Sequence, residues 1–293
     1  MKSGILFSLL LTVTSLSAQR DWSQVEVTSE PLADNVYVLF GSGGNMGLAV
    51  GDAYAYLIDD QFAPLSDKIL AAVRAITDKP IKYVVNTHWH GDHAGGNAPM
   101  AAQGAVLIAH DNVRKRMGSV QWAGTERESP PSPFEALSRI TFNDKMTVHL
   151  DAEHSMHILH VDPSHTDGDS YVYFPEANVM HMGDNFVNGY PFIDTGSGGD
   201  VDGFVRNLNM ALFIADDETK IIRGHGPVAS RADLEAFRDM VQTIRMRVKK
   251  AKDAGNDLDA VQQMGLTAEW DEAMGGGFIN AQRLVEAVYA TVD

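Results

Sequence analysis

The segment Thr87-His88-Trp89-His90-Gly91-Asp92-His93-Ala94-Gly95-Gly96 constrains this chain more than any other. It places four potential metal ligands, His88, His90, Asp92 and His93, directly after the apolar run at residues 81–85. A short run of that kind, closed by polar residues, reads as a strand, so the cluster falls on the loop past a strand end. Alternation along an extended chain points His88 and His90 to the same side. After Gly91, Asp92 and His93 can turn toward a neighbouring point. Two adjacent cation positions follow from this spacing. Imidazole nitrogens and carboxylate oxygens bind zinc at about 2.0–2.2 Å.

The rest of the chain supplies a scaffold of strands with helices between them. Residues 36–40, 47–50, 53–58, 81–85 and 105–109 read as strands, with a helix at 65–77 and a short one from 111. Residues 118–134, rich in Gly and Pro, read as a loop that walls the active site. A second strand-rich block covers 140–142, 146–150, 156–161, 171–174 and 179–182. It is followed by a helix near 202–215, a strand at 220–223, and helices near 230–253 and 278–291. Each half runs strands, then helix, then a strand ending in histidine. That plan predicts an α/β fold with two similar β-rich layers, each covered outside by helices. Residues 19–293 are expected to form one domain.

Composition narrows the chemistry. The chain has 23 basic and 39 acidic residues for a net charge of −16, which repels polyanions and sets nucleic acid aside as a partner. Cysteine is absent, so neither disulfide nor thiolate is available, and a bound metal is held by nitrogen and oxygen. Residues 1–18 combine Lys2, a brief apolar run and the small residues Ser15, Ser17 and Ala18. These features predict a signal peptide cut near Ala18, a secreted or periplasmic product, and no membrane anchor after cleavage.

With these residues in view, the chain resembles the metallo-β-lactamase superfamily, whose signature is H-x-H-x-D-H after a strand. Further elements follow in the family's order: His165 in Ser164-His165-Thr166, Asp184 in Met182-Gly183-Asp184, His225 in Gly224-His225-Gly226, and Asp59 at a strand end. The resemblance implies a four-layer αββα sandwich with two metal ions, zinc by preference, though iron or manganese suits the same donors. It implies that His88, His90 and His165 hold the first ion, that Asp92, His93 and His225 hold the second, and that Asp184 bridges them. Asp59 would orient ligands without binding metal. His110, His149, His154, His157, His160 and His181 match no ligand position.

The activity so implied is hydrolysis. A hydroxide shared by the ions attacks the carbonyl of a small-molecule cyclic amide or ester, and Asp92 steadies that hydroxide as the catalytic carboxylate. A β-lactamase-related enzyme with weak β-lactam turnover is the first expectation. Asp184 stands where the thiolate-ligand β-lactamases have cysteine, and Val187 where they have a lysine for the substrate carboxylate. A lactonase or another ester or thioester hydrolase is the alternative, and a non-catalytic metal-binding protein is the reading from another class. The Gly41–Gly47 loop lacks a phosphate-binding Lys-Ser/Thr and reads as a mobile flap over the site. Phe62, Trp89, Trp122, Phe186 and Tyr190 are candidate pocket walls.

Overall fold

The computed structural model describes residues 21–121, 125 and 128–293. The signal-peptide expectation for 1–18 and the candidate wall Trp122 lie outside the described residues. One sheet runs in chain order: β1 (Thr28–Pro31), β2 (Val36–Phe40), β3 (Met46–Val50), β4 (Ala55–Ile58), β5 (Ile81–Val85), β6 (Val106–His110) and β7 (Ile140–Phe142). The second comprises β8 (Lys145–His149), β9 (Ser155–His160), β10 (Ser170–Phe174), β11 (Val179–His181) and β12 (Lys220–Ile222), in the order β12-β11-β10-β9-β8. Pairing is antiparallel from β1 to β4 and parallel from β4 to β7. In the second sheet it is antiparallel except for parallel β11 and β12.

The sheets pack face to face. Val36, Val38, Ile58, Val85 and Ile108 of the first meet Met156, Ile158, Val172, Phe174 and Ile222 of the second in one buried cluster. Leu48, Leu57, Val84 and Leu107 face outward onto Leu65 and onto Ile69 and Val73 of helix α1 (Ser66–Ile76). The remaining helices are α2 (Gly91–Ala94), α3 (Asn97–Ala102), α4 (Asp111–Met117), α5 (Val201–Ile214), α6 (Arg231–Asp253), α7 (Leu258–Gln262), α8 (Asp271–Met274) and α9 (Ala281–Thr291). Tyr171, Met180 and Ile221 carry α5, α6 and α9 through Phe204, Leu208, Phe237, Val241, Ile244, Leu284 and Val288. The layers are therefore helix, sheet, sheet, helix, the αββα sandwich that the sequence predicts.

The long helix shows how sequence makes the outer layer. Leu234, Phe237, Val241, Ile244 and Val248 recur every three or four residues and are all buried, forming one apolar stripe. Each such side chain contributes about 1.5–3 kcal/mol through burial. A capping box starts the helix. Ser230 accepts from the Asp233 amide at 3.2 Å, and Asp233 accepts from the Ser230 amide at 2.8 Å. Strand β1 has no such signal, because all four of its residues are exposed. The expected helix at 278–291 begins only at Ala281, capped by Asn280, which frees Phe278 and Ile279 for another role.

Parallel pairing positions the site. The carboxyl ends of β4 and β5 in one sheet and of β11 and β12 in the other lead into Asp59, His88–His93, Asp184 and His225. Functional groups gather at such strand ends because loops there are free of sheet pairing.

Candidate metal centre

All seven side chains that the sequence nominates converge at this rim. Their ligand atoms form three overlapping groups: His88, His90 and His165; His88, His93 and Asp184; and Asp92, His93 and His225, with atoms in each group within 4.8 Å of one another. Asp184, on the turn after β11, has Oδ1 3.1 Å from His93 Nε2 and 3.5 Å from His225 Nε2. Its Oδ2 lies 3.7 Å from His165 Nε2, so this one carboxylate reaches both halves of the cluster. Asp92 Oδ2 lies 3.3 Å from His225 Nε2. The histidines set aside from the sequence join none of these groups among the described residues.

Each buried imidazole has its outer nitrogen committed to a partner, which fixes the tautomer by chemistry. His165 Nδ1 donates to the Phe192 carbonyl at 2.6 Å. His90 Nε2 donates to Asp194 Oδ2 at 3.0 Å, and His93 Nδ1 to Asp59 Oδ2 at 2.8 Å. The Thr87 hydroxyl donates to Asp59 at 2.7 Å, so His88 Nδ1, 3.1 Å away, is the donor toward that oxygen. The inward nitrogens of His88, His90 and His165 are therefore lone pairs. His165 Nε2 and His90 Nδ1 face each other at 2.8 Å, and His88 Nε2 is buried without a hydrogen-bond partner. Two acceptors at that distance repel unless a proton or a cation lies between them. This donor set fits a bound metal, and the chain has a metal-binding site here.

Electrostatics agree. Burial, reinforced by neighbouring histidines, keeps His88 well below the usual histidine range, so it is a neutral ligand. Burial also lowers His90. On the other side the carboxylates prevail. Asp184 is the main cause that raises His225 to about 9. Burial opposes ionisation of Asp92, but His93 and His225 outweigh it and hold its carboxyl at about 2. An excess of carboxylate that binds protons this strongly is what divalent ions neutralise.

Asp59, buried at the end of β4, accepts from the Thr87 amide at 2.7 Å as well as from the Thr87 hydroxyl and His93. It thus orients the ligand loop while lying outside the ligand groups. The Gly41–Gly47 loop differs from the expected mobile flap. Gly44 donates to the Asp92 carbonyl at 3.0 Å, Asn45 donates to the Gly224 carbonyl at 2.7 Å, and Gln61 donates to the Gly44 carbonyl at 2.6 Å. A Cβ at Gly44 would sit 2.1 Å from the His93 ring. Glycine here allows main chain to lie against the imidazole, and the loop is a pinned strap.

A cavity of about 640 Å³ opens above the ligands, with His90, Asp92, Asp184 and His225 at its floor. Phe62 and Tyr190 line it as expected, joined by Val187, Phe192, Phe278 and Ile279. Phe186 does not: it is fully buried and packs on Phe237 at 5.0 Å. Trp89 is buried beside a separate cavity with Ala98, Pro99 and Met117. Sequence reading misses Asp194 and Phe192 because neither stands in a recognisable pattern. It absorbs Phe278 into a helix, although the preceding Gly275-Gly276-Gly277 signals a break.

The family model of the Metallo-beta-lactamase superfamily matches residues 39–225, and the chain belongs to that superfamily. It is 31 % identical over 106 residues to a hydroxyacylglutathione hydrolase from Erythrobacter litoralis, covering 36 % of this chain and 34 % of that protein. The chain spans half or less of the length of the curated relatives it matches. Among solved structures, the stereoselective inverting sec-alkylsulfatase Pisa1 from Pseudomonas sp. aligns with a TM-score of 0.68 at 18 % identity, over 90 % of this chain and 50 % of that one. The DIM-1 metallo-beta-lactamase aligns with a TM-score of 0.61 at 16 % identity, over 75 % of this chain and 99 % of that one. These two likenesses concern the fold.

Proposed function

We propose that the chain is an exported, dinuclear zinc hydrolase of a small uncharged ester or lactone, with β-lactams as poor substrates. The observation that carries this reading is the cavity wall. It is built from Phe62, Val187, Tyr190, Phe192, Phe278 and Ile279, with no lysine or arginine among the described residues that line it. A β-lactam presents a carboxylate beside its scissile amide, and an alkyl sulfate carries a full negative charge. Either would be desolvated against that wall with no side-chain cation among the described residues to pair it. An ester or lactone has no such charge. The cavity above the ligands also favours catalysis over mere metal storage.

When bound, divalent ions supply Lewis acidity toward a carbonyl oxygen and a water of lowered pKa. His88, His90 and His165 would hold one ion, Asp92, His93 and His225 the other, with Asp184 shared. Asp92 is ionised at neutral pH and faces the cavity, so it acts as a hydrogen-bond acceptor that directs the attacking water. The aromatic wall excludes bulk water and strengthens every polar contact at the floor. Residues 1–18 direct export.

The test is metal analysis of protein purified without added metal, then steady-state kinetics on a lactone, a simple ester, a penicillin and a carbapenem. Close to two zinc ions per chain and lactone or ester turnover that ceases on chelation are the expected results. Undiminished activity after chelation, or β-lactam kcat/KM near the diffusional ceiling of about 10⁸ M⁻¹s⁻¹, would refute the reading.

A further inference from the structure

We infer that Phe278 selects substrates by the apolar group beside the scissile bond, an inference that rests on reading the cavity as the substrate site. Phe278 follows Gly275-Gly276-Gly277, lines the cavity and is 65 % exposed. A phenyl ring left in water at the mouth of a site retains its burial energy for whatever seats against it.

The ring is held in place. Arg283 lies 4.8 Å from its centroid and donates to the Phe278 carbonyl at 2.9 Å. The ring meets Phe192 edge to face at 5.6 Å and 84°. Phe192 stacks on His90 at 5.8 Å and 18°, and its carbonyl receives the His165 proton. A line of aromatic faces therefore runs from the cavity mouth to the metal ligands. A carbonyl placed over His90 and Asp92 has its flanking group against Phe192 and Phe278. No lysine or arginine is among the described residues that line the cavity, so that group is uncharged and apolar, such as an acyl chain. Phe278 also lies beyond the family-matched residues 39–225. The C-terminal part of the chain thus adds Phe278 to a wall whose Phe192 lies in the shared segment.

The experiment uses the metal-loaded enzyme and Phe278→Ala, Phe278→Leu and, as a control, Phe213→Ala, whose ring is 91 % exposed on α5. Acetate, butyrate and octanoate esters of one alcohol are compared. In the wild type, KM falls about fourfold for each methylene that seats on the wall. Phe278→Ala raises KM for the octanoate about tenfold and for the acetate less than twofold, with kcat unchanged. Phe278→Leu recovers part of the loss, and Phe213→Ala changes nothing. In parallel, calorimetry measures binding of octanamide and acetamide, which report seating without turnover. If no ester is hydrolysed but octanamide binding weakens about tenfold in Phe278→Ala, the selection stands and the ester-hydrolase reading falls. Equal effects on acetate and octanoate, or octanamide binding untouched by Phe278→Ala, overturn the inference.

Discussion

Asp194 offers the sharpest test of how the cluster is organised, because it acts on one ligand only. Its carboxylate takes the His90 Nε2 proton at 3.0 Å and is 4 % exposed. This bond leaves Nδ1 as the lone pair that faces His165. Asp194→Ala releases the ring to rotate and lets the proton move to Nδ1, where it blocks metal binding. A charge-assisted hydrogen bond contributes about 1.5–3 kcal/mol. Loss of a carboxylate behind a ligating histidine typically costs about 10- to 100-fold in metal affinity, which is about 1.4–2.8 kcal/mol. The two figures overlap, so a loss in that range is expected for the ion held by His88, His90 and His165. The ion of Asp92, His93 and His225 should change less than twofold. The fold should survive, since the Asp194 amide still donates to the His165 carbonyl at 2.9 Å. Asp194→Asn should lose less, because its amide oxygen still accepts from His90. Competition titration against a chromophoric chelator, resolving two binding steps, is the assay. Equal weakening of both steps, or none, would falsify the account of His90.

Three further outcomes follow from the same geometry. Val187→Lys places an ammonium in the cavity wall and should raise β-lactam kcat/KM about ten- to a hundredfold, mainly through KM. Kinetics on a penicillin beside a neutral lactone check it, and equal gains on both would defeat the missing-cation argument. Metal loading should expel protons: His225 is raised to about 9, chiefly by Asp184, and the carboxylates around His93 raise it well above its ordinary value despite burial. His225 therefore holds a proton at pH 7 before metal arrives, so at least about one is released per chain. Metal affinity climbs with pH until it levels off above about 9, and calorimetry in buffers of different ionisation enthalpy measures this. Gly44→Ala drives a methyl into the His93 ring, so it should cost roughly 1–3 kcal/mol of stability and weaken the His93-bound ion; a melting temperature equal to wild type would show that the strap yields.

The sandwich and its strand ends were legible because they follow from local pattern. Apolar runs at the observed strands, the amphipathic stripe of α6 with its Ser230–Asp233 cap, and the histidines placed just past strand ends all lie within a few residues of one another. The candidate ligands could likewise be nominated in order, since each sits in a short motif such as Gly183-Asp184 or Gly224-His225, and the fold brings them together. Edge strand β1 was not legible, because a strand exposed at every position leaves no hydrophobic alternation. Trp89 and Phe186 were misplaced for the converse reason: an aromatic beside a ligand in sequence is not thereby beside it in space. Phe186 points into the helix layer, although Asp184 two residues earlier faces the metal centre.

What the linear order of residues determined was the chemistry on offer: nitrogen and oxygen donors without thiolate, a lattice of strands to carry them, and no cation at position 187. Tertiary structure alone decided which partner fixes each imidazole and what walls the cavity. Asp194 reaches His90 across 104 residues, and Phe278 meets Phe192 across a break that reads as helix in one dimension. The physical reason is that hydrogen bonds and ring contacts depend on distance in space. Periodicity reports only which face of an element is apolar, so it says nothing of what that face, once folded, will meet.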